Sequence, residues 1–403
     1  MKTLKLAVIG LGSRGSGLMS TILKALPEIE IVAVSDNYQD RVEDAQKRVF
    51  DATGKTPFGS TNHLEVINRA EVEAVLVSTS WETHVSVSID ALKAGKATAM
   101  EVGGAYNVDE LWELVETYEQ TKTPFMFLEN CCFGEWELLV TNMVRKGKFG
   151  SISHCSGAYS HDLREEVTKG KENRHYRLKN YIERNGENYP THELGPIAKI
   201  LNINRGNRML KLYSIASKQQ GLTDYVKRNP ETTDQSLLEV DFKQGDIVNT
   251  LITCEDGTTI ALKLDTSLPR FYSREFSVHG TNGMYSELAH TIFIDGENEW
   301  NAREKHLNEE NYKEEFSAPI WKNFSEEQRK TGHGGMDYFT LQHFAQSILN
   351  GTEPKLDVYD AAAWMVITCL SEESIKTGNA VDIPDFTKGE YKNRPSLDVV
   401  DFD

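Results

Sequence analysis

Cysteine, basic side chains and long apolar runs are all scarce in this sequence. Its 5 cysteines include no Cys-x-x-Cys pair, a usage typical of reduced thiols in a cytosolic protein. No apolar run approaches the roughly 18–20 residues that span a bilayer, so we expect no membrane partner. Acidic residues outnumber basic ones by 61 to 44, giving a net charge of −17 without a local basic stripe. Such a surface repels phosphate backbones, so we also expect no nucleic-acid partner.

The remaining composition is that of an ordinary globular protein, with 39% hydrophobic and 26% charged residues among 403. It excludes a disordered or fibrous chain, and the length predicts two or three domains at roughly 100–200 residues each. The chain enters a strand-like apolar run at Leu4, which leaves no room for the regions of a signal peptide. We therefore predict a cytoplasmic protein, or an exported one from which a signal has been removed.

The first 130 residues alternate apolar runs of strand length with segments of helical periodicity. The apolar runs cover residues 4–9, 30–35, 74–79, 97–102 and 124–128. The helical segments between them cover residues 16–26, 38–53, 85–93 and 108–121. Runs rich in Val, Ile, Ala and Phe are typical of parallel strands covered on both faces by helices. We predict a doubly wound α/β domain of the Rossmann type over residues 1–130.

A glycine-rich turn, Gly10–Gly15 (GLGSRG), joins the first strand to the first helix. Its first glycine permits a tight turn, its second lets the backbone approach a pyrophosphate, and its third lets the helix pack closely on the strand. The second strand ends at Asp36, 21 residues after Gly15, where a carboxylate can bind both ribose hydroxyls. Asn37 and Tyr38 follow, with no Arg to hold a 2′-phosphate. The pattern predicts NAD as the cofactor and disfavours NADP.

From residue 131 the apolar periodicity shifts towards two, as expected for strands with one buried face. Alternating segments cover residues 151–159, 209–217, 236–242, 246–254, 258–266, 276–280 and 291–295. Helical patterns cover residues 192–202, 336–350 and 358–376. We predict a second, substrate-binding α/β domain over residues 131–403, with an open, mostly antiparallel sheet and helices on one face. The other face would be available to a second subunit, so we expect a homodimer or larger homo-oligomer.

A nicotinamide-binding domain followed by an antiparallel sheet domain resembles the Gfo/Idh/MocA oxidoreductases. Typical members of that family carry Glu-Lys-Pro at the end of the fifth strand, and the lysine assists hydride chemistry. This sequence has Glu101-Val102-Gly103 there. This chain therefore lacks the lysine that typical family members use in alcohol dehydrogenation, which disfavours that reaction by the usual mechanism.

Motifs spread over nearly the whole chain narrow the resemblance to glycoside hydrolase family 109, the NAD-dependent α-N-acetylgalactosaminidases. The most specific motifs are the Tyr-Pro-Thr-His segment at 189–192 and the Asn-Ile-Asn-Arg segment at 202–205. The other matching segments cover residues 12–15, 81–84, 128–132, 157–164, 332–337 and 358–364. Gly103-Gly104 stands where the family usually has Pro-Ala, a departure that indicates a divergent member with a shifted substrate.

The resemblance implies a glycosidase that uses NAD⁺ catalytically. In the family, NAD⁺ takes hydride from C3 of the sugar and a base removes the acidified C2 proton. The anomeric group then leaves by elimination, water adds, and the hydride returns. The substrate would be an α-N-acetylgalactosaminide or related glycoside, as a small molecule or an oligosaccharide. Two other interpretations stay open: an NAD-dependent sugar or cyclitol dehydrogenase, and a dinucleotide-binding sensor without turnover.

The resemblance also assigns candidate site residues. Those expected to bind NAD are Gly10, Gly12, Ser13, Arg14, Gly15, Asp36, Trp81, Glu82, Thr83, His84, Glu101, Val102, Asn130, Arg177, Tyr189, Pro190, Thr191 and His192. Those expected to line the sugar are Tyr159, Arg177, Tyr189, His192 and Tyr272. Within the first set, Arg14 would touch the pyrophosphate, Glu101 the nicotinamide ribose, and Asn130 the nicotinamide end of the site.

His192 is the predicted acceptor of the C3 hydroxyl proton, because an imidazole with a pKa near 6.5 gains and returns a proton at neutral pH. Two roles stay open for the candidate catalytic residues Tyr159 and Tyr189: hydrogen bonding to the substrate, which is favoured for each, and proton transfer at C2 or at the leaving group. A phenol with a pKa near 10 needs a perturbed environment or a cationic neighbour to serve as a base. Arg164 and Arg177 are the candidates for that cation.

Two further features of the sequence involve histidine. The glycine-flanked His333 either approaches the sugar or belongs to a simple turn. His154, His161, His175 and His192 match none of the compact ligand spacings, so we predict no metal.

Overall fold

The computed structural model describes residues 2–301, 307–322 and 324–402. The chain forms two compact units. Unit 1 comprises Met1–Phe133 and Asn323–Ala362, and unit 2 comprises Gly134–Lys322 and Ala363–Asp403. The chain first passes from unit 1 to unit 2 after Phe133, three residues beyond the domain boundary predicted at residue 130. The sequence analysis did not predict that the chain returns to unit 1 at residue 323.

Unit 1 begins with strands and helices in strict alternation, and a crossover helix follows each of the first five strands. The strands are β1 (Leu4–Ile9), β2 (Ile29–Ser35), β3 (Phe58–Ser60), β4 (Ala74–Val77), β5 (Ala97–Met100) and β6 (Phe125–Phe127). The helices are α1 (Ser13–Ala25), α2 (Gln39–Thr53), α3 (His63–Ile67), α4 (His84–Lys93) and α5 (Val108–Thr121). The sheet is parallel, in the order β3-β2-β1-β4-β5-β6. The predicted doubly wound α/β fold is confirmed.

Helix α5 shows how the sequence sets these elements. It begins at a capping box, in which Asn107 accepts from the backbone N–H of Glu110 at 2.8 Å and Glu110 accepts from that of Asn107 at 3.1 Å. Its apolar stripe, Leu111, Leu114 and Val115, is fully buried. Local capping and an amphipathic face therefore agree on the same helix.

Unit 2 is built on an eight-stranded sheet. Its strands are β7 (Ile152–Ser160), β8 (Met209–Ala216), β9 (Ile247–Cys254), β10 (Thr259–Asp265), β11 (Ser277–Gly280), β12 (Gly283–Ser286), β13 (Thr291–Ile294) and β14 (Val381–Asp382). Its sheet order is β13-β12-β11-β7-β10-β9-β8-β14, with β7 and β10 parallel and the other pairs antiparallel. This confirms the predicted, mostly antiparallel sheet.

Helices accompany the sheet of unit 2. They are α6 (Glu135–Arg145), α7 (Arg164–Thr168), α8 (Arg177–Glu183), α9 (Thr191–Ile200), α10 (Gly221–Arg228), α11 (Lys313–Phe316) and α12 (Pro319–Lys322). Strands β8 and β9 alternate buried with exposed residues, so at these two strands one face of the sheet is covered and the other is open.

The chain then forms α13 (Glu326–Arg329), α14 (Met336–Asn350) and α15 (Val358–Thr377). Helices α14 and α15 lie where the periodicity predicted them, and α15 changes unit after Ala362. No helix formed by the described part of the chain is long and apolar enough to cross a membrane.

The strand predicted over residues 236–242 was wrong. Residues Gln235–Glu239 form a 3₁₀ helix instead, and the Asp234 side chain caps it by accepting from the backbone N–H of Ser236 at 3.0 Å. The apolar–polar alternation suggested a strand, but the hydrogen bond accepted by Asp234 stabilises the start of a 3₁₀ helix in its place.

Candidate active site

The predicted site residues fall into two groups, one in each unit. The glycine turn, Asp36, the 81–84 loop, Glu101, Val102 and Asn130 belong to unit 1. Tyr159, Arg177, the 189–192 segment and Tyr272 belong to unit 2.

The glycine turn of unit 1 has the geometry that a dinucleotide requires. Gly10 has a φ of +91°, and a Cβ there would lie 2.3 Å from the carbonyl oxygen of Ser78. A Cβ on Gly15 would lie 1.9 Å from the carbonyl oxygen of Gly10. Helix α1 follows Gly12 with no side-chain cap and no acidic residue in its first turn. Its N-terminal N–H groups and positive dipole end therefore suit an anion such as a pyrophosphate.

Asp36 lies directly after β2 and is nearly buried. It accepts from the backbone N–H of Leu11 at 2.7 Å and from that of Tyr38 at 3.0 Å. These bonds fix the carboxylate beside the glycine turn, in the position expected of a ribose ligand. The residues of the turn and Asp36 thus fit NAD.

Arg41 is a neighbour of Asp36 that the sequence analysis missed. Its Nη1 lies 3.6 Å from Oδ2 of Asp36, and its guanidinium carbon lies 4.9 Å from the centroid of the Tyr38 ring. Only the two residues directly after Asp36 were considered for a cation near the ribose. Arg41 lies in the first turn of α2, and side chains of a helix point back towards its N-terminus. Its guanidinium therefore lies near the end of β2, where Asp36 is.

Arg14 directs its guanidinium at two carboxylates of unit 1. Its Nε lies 3.2 Å from Glu101, and its Nη1 and Nη2 donate to Asp337 at 2.7 and 2.9 Å. Asn130 donates its amide to the same carboxylate at 2.7 Å. Three predicted residues, Arg14, Glu101 and Asn130, are therefore brought together. Asp337 completes the group, and the sequence analysis placed it in a motif without assigning it a role.

The 81–84 loop is anchored by buried rings. Trp81 and His84 are each 1% exposed, whereas Thr83 is exposed. Burial lowers the pKa of His84 to about 4, although hydrogen bonds with the backbone of Gly104 and Glu101 act to raise it. A Cβ on Gly103 would lie 2.2 Å from the Trp81 ring, so the glycine at this family-divergent position is the residue that leaves room for the indole.

An aromatic cluster collects the predicted sugar residues in unit 2. Tyr159 is the penultimate residue of β7. Its ring centroid lies 4.5 Å from that of Tyr189, 5.7 Å from that of His192 and 6.5 Å from that of Tyr272. The Tyr189 hydroxyl lies 3.3 Å from Nε2 of His192. The Tyr159 hydroxyl lies 3.1 Å from Nδ1 of His161, a residue that the sequence analysis placed in a motif without assigning it a role. The cluster presents phenols and imidazoles that suit a polyhydroxylated ligand.

Arg177 supplies the positive charge of this cluster. Its guanidinium carbon lies 5.0 Å from the centroid of the Tyr189 ring, and its Nε pairs with Glu166 at 2.8 Å. Burial raises the pKa of Tyr159 to about 12, although the Arg177 charge acts in the lowering direction. Arg164, the other predicted cation, pairs with Asp162 and lies over Tyr225 instead.

Helix α9 places His192 in its first turn. Pro190 precedes the helix and Thr191 opens it, and His192 is 6% exposed. The proline, with a φ of −74°, suits the start of a helix.

The sequence matches family models over nearly its whole length. The model of the glycosyl hydrolase 109 C-terminal domain matches residues 133–393. The model of the oxidoreductase family with an NAD-binding Rossmann fold matches residues 4–128.

Curated relatives align with almost the entire chain. A glycosyl hydrolase family 109 protein of Solibacter usitatus (strain Ellin6076) is 37% identical over 401 residues, covering 97% of this chain and 90% of that protein. A glycosyl hydrolase family 109 protein of Stenotrophomonas maltophilia (strain K279a) is 34% identical over 423 residues, covering 98% and 92%. An alpha-N-acetylgalactosaminidase of Shewanella oneidensis is 33% identical over 411 residues, covering 99% and 88%.

Solved structures share the fold at low identity. Levoglucosan dehydrogenase in complex with NADH and levoglucosan superposes with a TM-score of 0.72 at 17% identity, covering 95% of this chain and 100% of that one. Myo-inositol 2-dehydrogenase from Lactobacillus plantarum gives a TM-score of 0.68 at 16% identity, also covering 95% and 100%.

The family matches confirm the predicted NAD-binding Rossmann domain and its NAD cofactor. They also confirm the predicted class of enzyme, an NAD-dependent glycosidase. The chain belongs to glycosyl hydrolase family 109.

Proposed function

We propose that this chain hydrolyses α-N-acetylgalactosaminides, or closely related glycosides, by transient oxidation at C3, elimination across C1 and C2, addition of water and re-reduction. The observation that carries the proposal is the buried cluster of Tyr159, Tyr189 and His192 in a chain that also carries a dinucleotide turn. The name of the Shewanella oneidensis relative supports the choice of sugar. Bound NAD⁺ would supply a reversible acceptor for the C3 hydride.

His192 would take the proton of the C3 hydroxyl and return it at the end of the cycle. An imidazole suits both directions of transfer near neutral pH. The hydroxyl of Tyr189, 3.3 Å from Nε2, would hold the ring in one orientation between the two transfers.

Tyr159 would act as a neutral hydrogen-bond partner of the sugar. Its pKa of about 12 leaves the phenol protonated at neutral pH. Of the two tyrosines that the sequence analysis considered for proton transfer, the burial of Tyr159 favours a binding role for it and leaves Tyr189 as the candidate base at C2.

His333 would join the NAD-binding group of unit 1. The side chain is 48% exposed, and its Nδ1 lies 2.9 Å from Asp337 and 3.1 Å from Nη1 of Arg14. These contacts connect the His333 loop with Arg14, the residue expected at the pyrophosphate.

The alternative is an NAD-dependent sugar or cyclitol dehydrogenase. The fold neighbours that are named dehydrogenases support it. Against it, Val102 is buried and aliphatic at the position where the dehydrogenase pattern has lysine, so this position provides no group for proton transfer.

We further propose that the protein is cytoplasmic and self-associates through the open face of its unit 2 sheet. Tyr213, Ile215 and Leu251 are 41%, 53% and 58% exposed, and Tyr213 is paired with Leu251 in the β8–β9 register. A second copy of the chain is the partner we assign to this apolar patch.

A panel of nitrophenyl glycosides assayed in deuterated water with NMR detection tests the proposed function. The panel contains the α-GalNAc, β-GalNAc, α-galactose and β-glucose derivatives. We expect release of nitrophenol from the α-GalNAc derivative, deuterium at C2 of the product and no net NADH. NADH formed in proportion to substrate would support the dehydrogenase alternative, and hydrolysis without deuterium at C2 would contradict the elimination route.

A further inference from the structure

A buried carboxylate on α14 collects donors from three separate segments of unit 1. Asp337 is 2% exposed. Its Oδ1 accepts from Asn130 at 2.7 Å and from Nη2 of Arg14 at 2.9 Å. Its Oδ2 accepts from Nη1 of Arg14 at 2.7 Å and lies 2.9 Å from Nδ1 of His333. Each carboxylate oxygen therefore has two partners. All of these partners belong to residues that the family resemblance places in or near the active site.

The carboxylate remains ionised in this environment. Burial alone would raise the pKa of Asp337, but the charge of Arg14 and the hydrogen bonds from His333 and Arg14 hold it well below its usual range. An ionised carboxylate only accepts hydrogen bonds. It therefore obliges Asn130 to turn its NH₂ group towards α14, which leaves the amide oxygen of Asn130 directed away from α14 and 3.5 Å from Sγ of Cys131.

The backbone before α14 is shaped around the same carboxylate. A Cβ on Gly332 would lie 2.1 Å from Oδ2 of Asp337. His333, Gly334 and Gly335 then have φ values of +53°, +67° and +103°, which fold the loop back on the start of the helix. The absence of a side chain at Gly332 is what allows Asp337 to reach Arg14 and His333 together.

Arg14 and Asn130 lie where parallel sheets bind dinucleotides. Arg14 is in the first turn of α1, just beyond β1, and Asn130 follows β6. Both positions are at the carboxyl ends of strands in the unit 1 sheet, the edge that binds nucleotide cofactors. A group that fixes both side chains sets the geometry of the NAD site without needing to touch NAD.

We propose that Asp337 is a positioning residue of the NAD site, which holds the Arg14 guanidinium and the Asn130 amide in their binding orientations and ties them to the His333 loop. The competing explanation is a buried ion pair that stabilises unit 1 and nothing more. The two differ in what happens to bound NAD in protein that is still folded.

Release of NAD from the purified holoenzyme separates these explanations. The NAD content of each variant is measured by enzymatic cycling, and its release rate is followed by dilution and filtration, alongside its thermal unfolding. We expect Asp337→Asn to release NAD about tenfold faster at a temperature where it is fully folded, the size of one coupling within a hydrogen-bonded network. Asp398→Asn is the matched control, since Asp398 forms a similar bidentate pair with Arg145 in unit 2, at 3.0 and 2.9 Å.

A second variant moves Asp337 without changing it. Gly332→Ala places a methyl group against Oδ2, and we expect faster NAD release than in Gly17→Ala, where a Cβ meets nothing within 4 Å. In a double-mutant cycle, Arg14→Met combined with Asp337→Asn should release NAD more slowly than the product of the two single effects, because Asp337 acts partly through Arg14.

The proposal is overturned if Asp337→Asn and Gly332→Ala lower the unfolding temperature but release NAD within twofold of the wild type. It is also overturned if the effects of Arg14→Met and Asp337→Asn on release multiply independently. A wild-type protein that contains no NAD and binds none would overturn the cofactor assignment as well, which the wild-type content measurement reveals separately.

Discussion

Burial outweighs charge at Tyr159. The phenol lies in contact with a cation, Arg177, yet its pKa rises to about 12 because the ring is withdrawn from water. The sequence analysis named Arg164 and Arg177 as candidate cations for the tyrosines, and the structure places Arg177 beside Tyr159. It did not foresee the depth of burial, because burial depends on the packing of unit 2 and not on any local pattern.

His192→Ala should abolish hydrolysis while leaving NAD bound. Removal of a general acid–base group costs about 10²–10⁴ in rate, and the imidazole is the proposed acceptor of the C3 proton. The measurements are the rate of nitrophenol release and the NAD content of the purified variant. His63→Ala, which alters a histidine paired with Asp90 on the surface of unit 1, serves as the control and should be unaffected. An unchanged rate in His192→Ala would remove His192 from the mechanism.

Residues within a motif were predictable, and residues that meet across the chain were not. Gly10, Gly15 and Asp36 follow from the spacing of one strand–helix–strand unit. The structure has the tight turn at Gly10, the close packing at Gly15 and the Asp36 carboxylate bonded to the turn. Asp337 lies 323 positions from its partner Arg14. Only the complete fold brings such distant residues together.

At the scale of elements, the segment after β5 is shaped by the ring that precedes α4. Gly103 packs directly against the buried indole of Trp81, and no space is left between them for a side chain at position 103. The sequence analysis noted Gly103 as a departure from the family pattern and connected it with the substrate. The contact with Trp81 gives the glycine a packing reason as well.

Gly103→Ala should destabilise unit 1. The added methyl group would lie 2.2 Å from the Trp81 ring, and overpacking of this kind costs about 1–3 kcal/mol. The free energy of unfolding in urea is the appropriate measurement. Gly17→Ala on α1 is the matched control, because its new Cβ meets nothing within 4 Å and should stabilise the helix by about 0.5–1 kcal/mol. Equal stabilities for Gly103→Ala and the wild type would show that the indole moves freely.

His84 should make the protein sensitive to acid. Its pKa falls to about 4 because the ring is buried, while an unfolded histidine titrates near 6.5. Between these two pH values the unfolded chain binds more protons than the folded one. The contribution of His84 to the free energy of unfolding is therefore fully present above pH 6.5, and about 3 kcal/mol of it is lost as the pH falls to 4. The free energy of unfolding measured from pH 4 to 7 should show a smaller acid loss in His84→Gln. Identical pH dependence in the two proteins would contradict the burial of a neutral ring.

Elements with strong periodicity were predicted better than those set by local capping. Helices α14 and α15 were placed to within a residue because long segments rich in apolar residues mark them. The 3₁₀ helix at Gln235–Glu239 was mistaken for a strand, since its few apolar residues alternate by chance and Asp234 caps it locally.

On the scale of the whole molecule, the order of the units along the chain differs from a simple succession of two domains. The segment Asn323–Ala362 belongs to unit 1, after the chain has formed most of unit 2. Helical periodicity located α14 but carries no information on which unit a helix joins, because an apolar stripe fits either core.

The open sheet face of unit 2 should mediate self-association. Leu251→Lys places a charge beside Tyr213 in the exposed patch, and burying that charge at an interface is unfavourable. Light scattering after size-exclusion chromatography should show a smaller assembly than the wild type at equal concentration. Leu64→Lys, which alters a 43% exposed leucine on α3 of unit 1, is the control for charge alone. A wild-type protein that is monomeric at all concentrations would contradict the proposal.

The central claim is that the sugar is oxidised at C3 and reduced again within one turnover. Its most direct test is the rate of hydrolysis of a nitrophenyl α-GalNAc glycoside that lacks the C3 hydroxyl, compared with the parent glycoside, by the NAD-loaded protein. The account predicts that the parent is cleaved and the 3-deoxy glycoside is not, because no hydroxyl is available for His192 to deprotonate. Cleavage of the two glycosides at similar rates would contradict it.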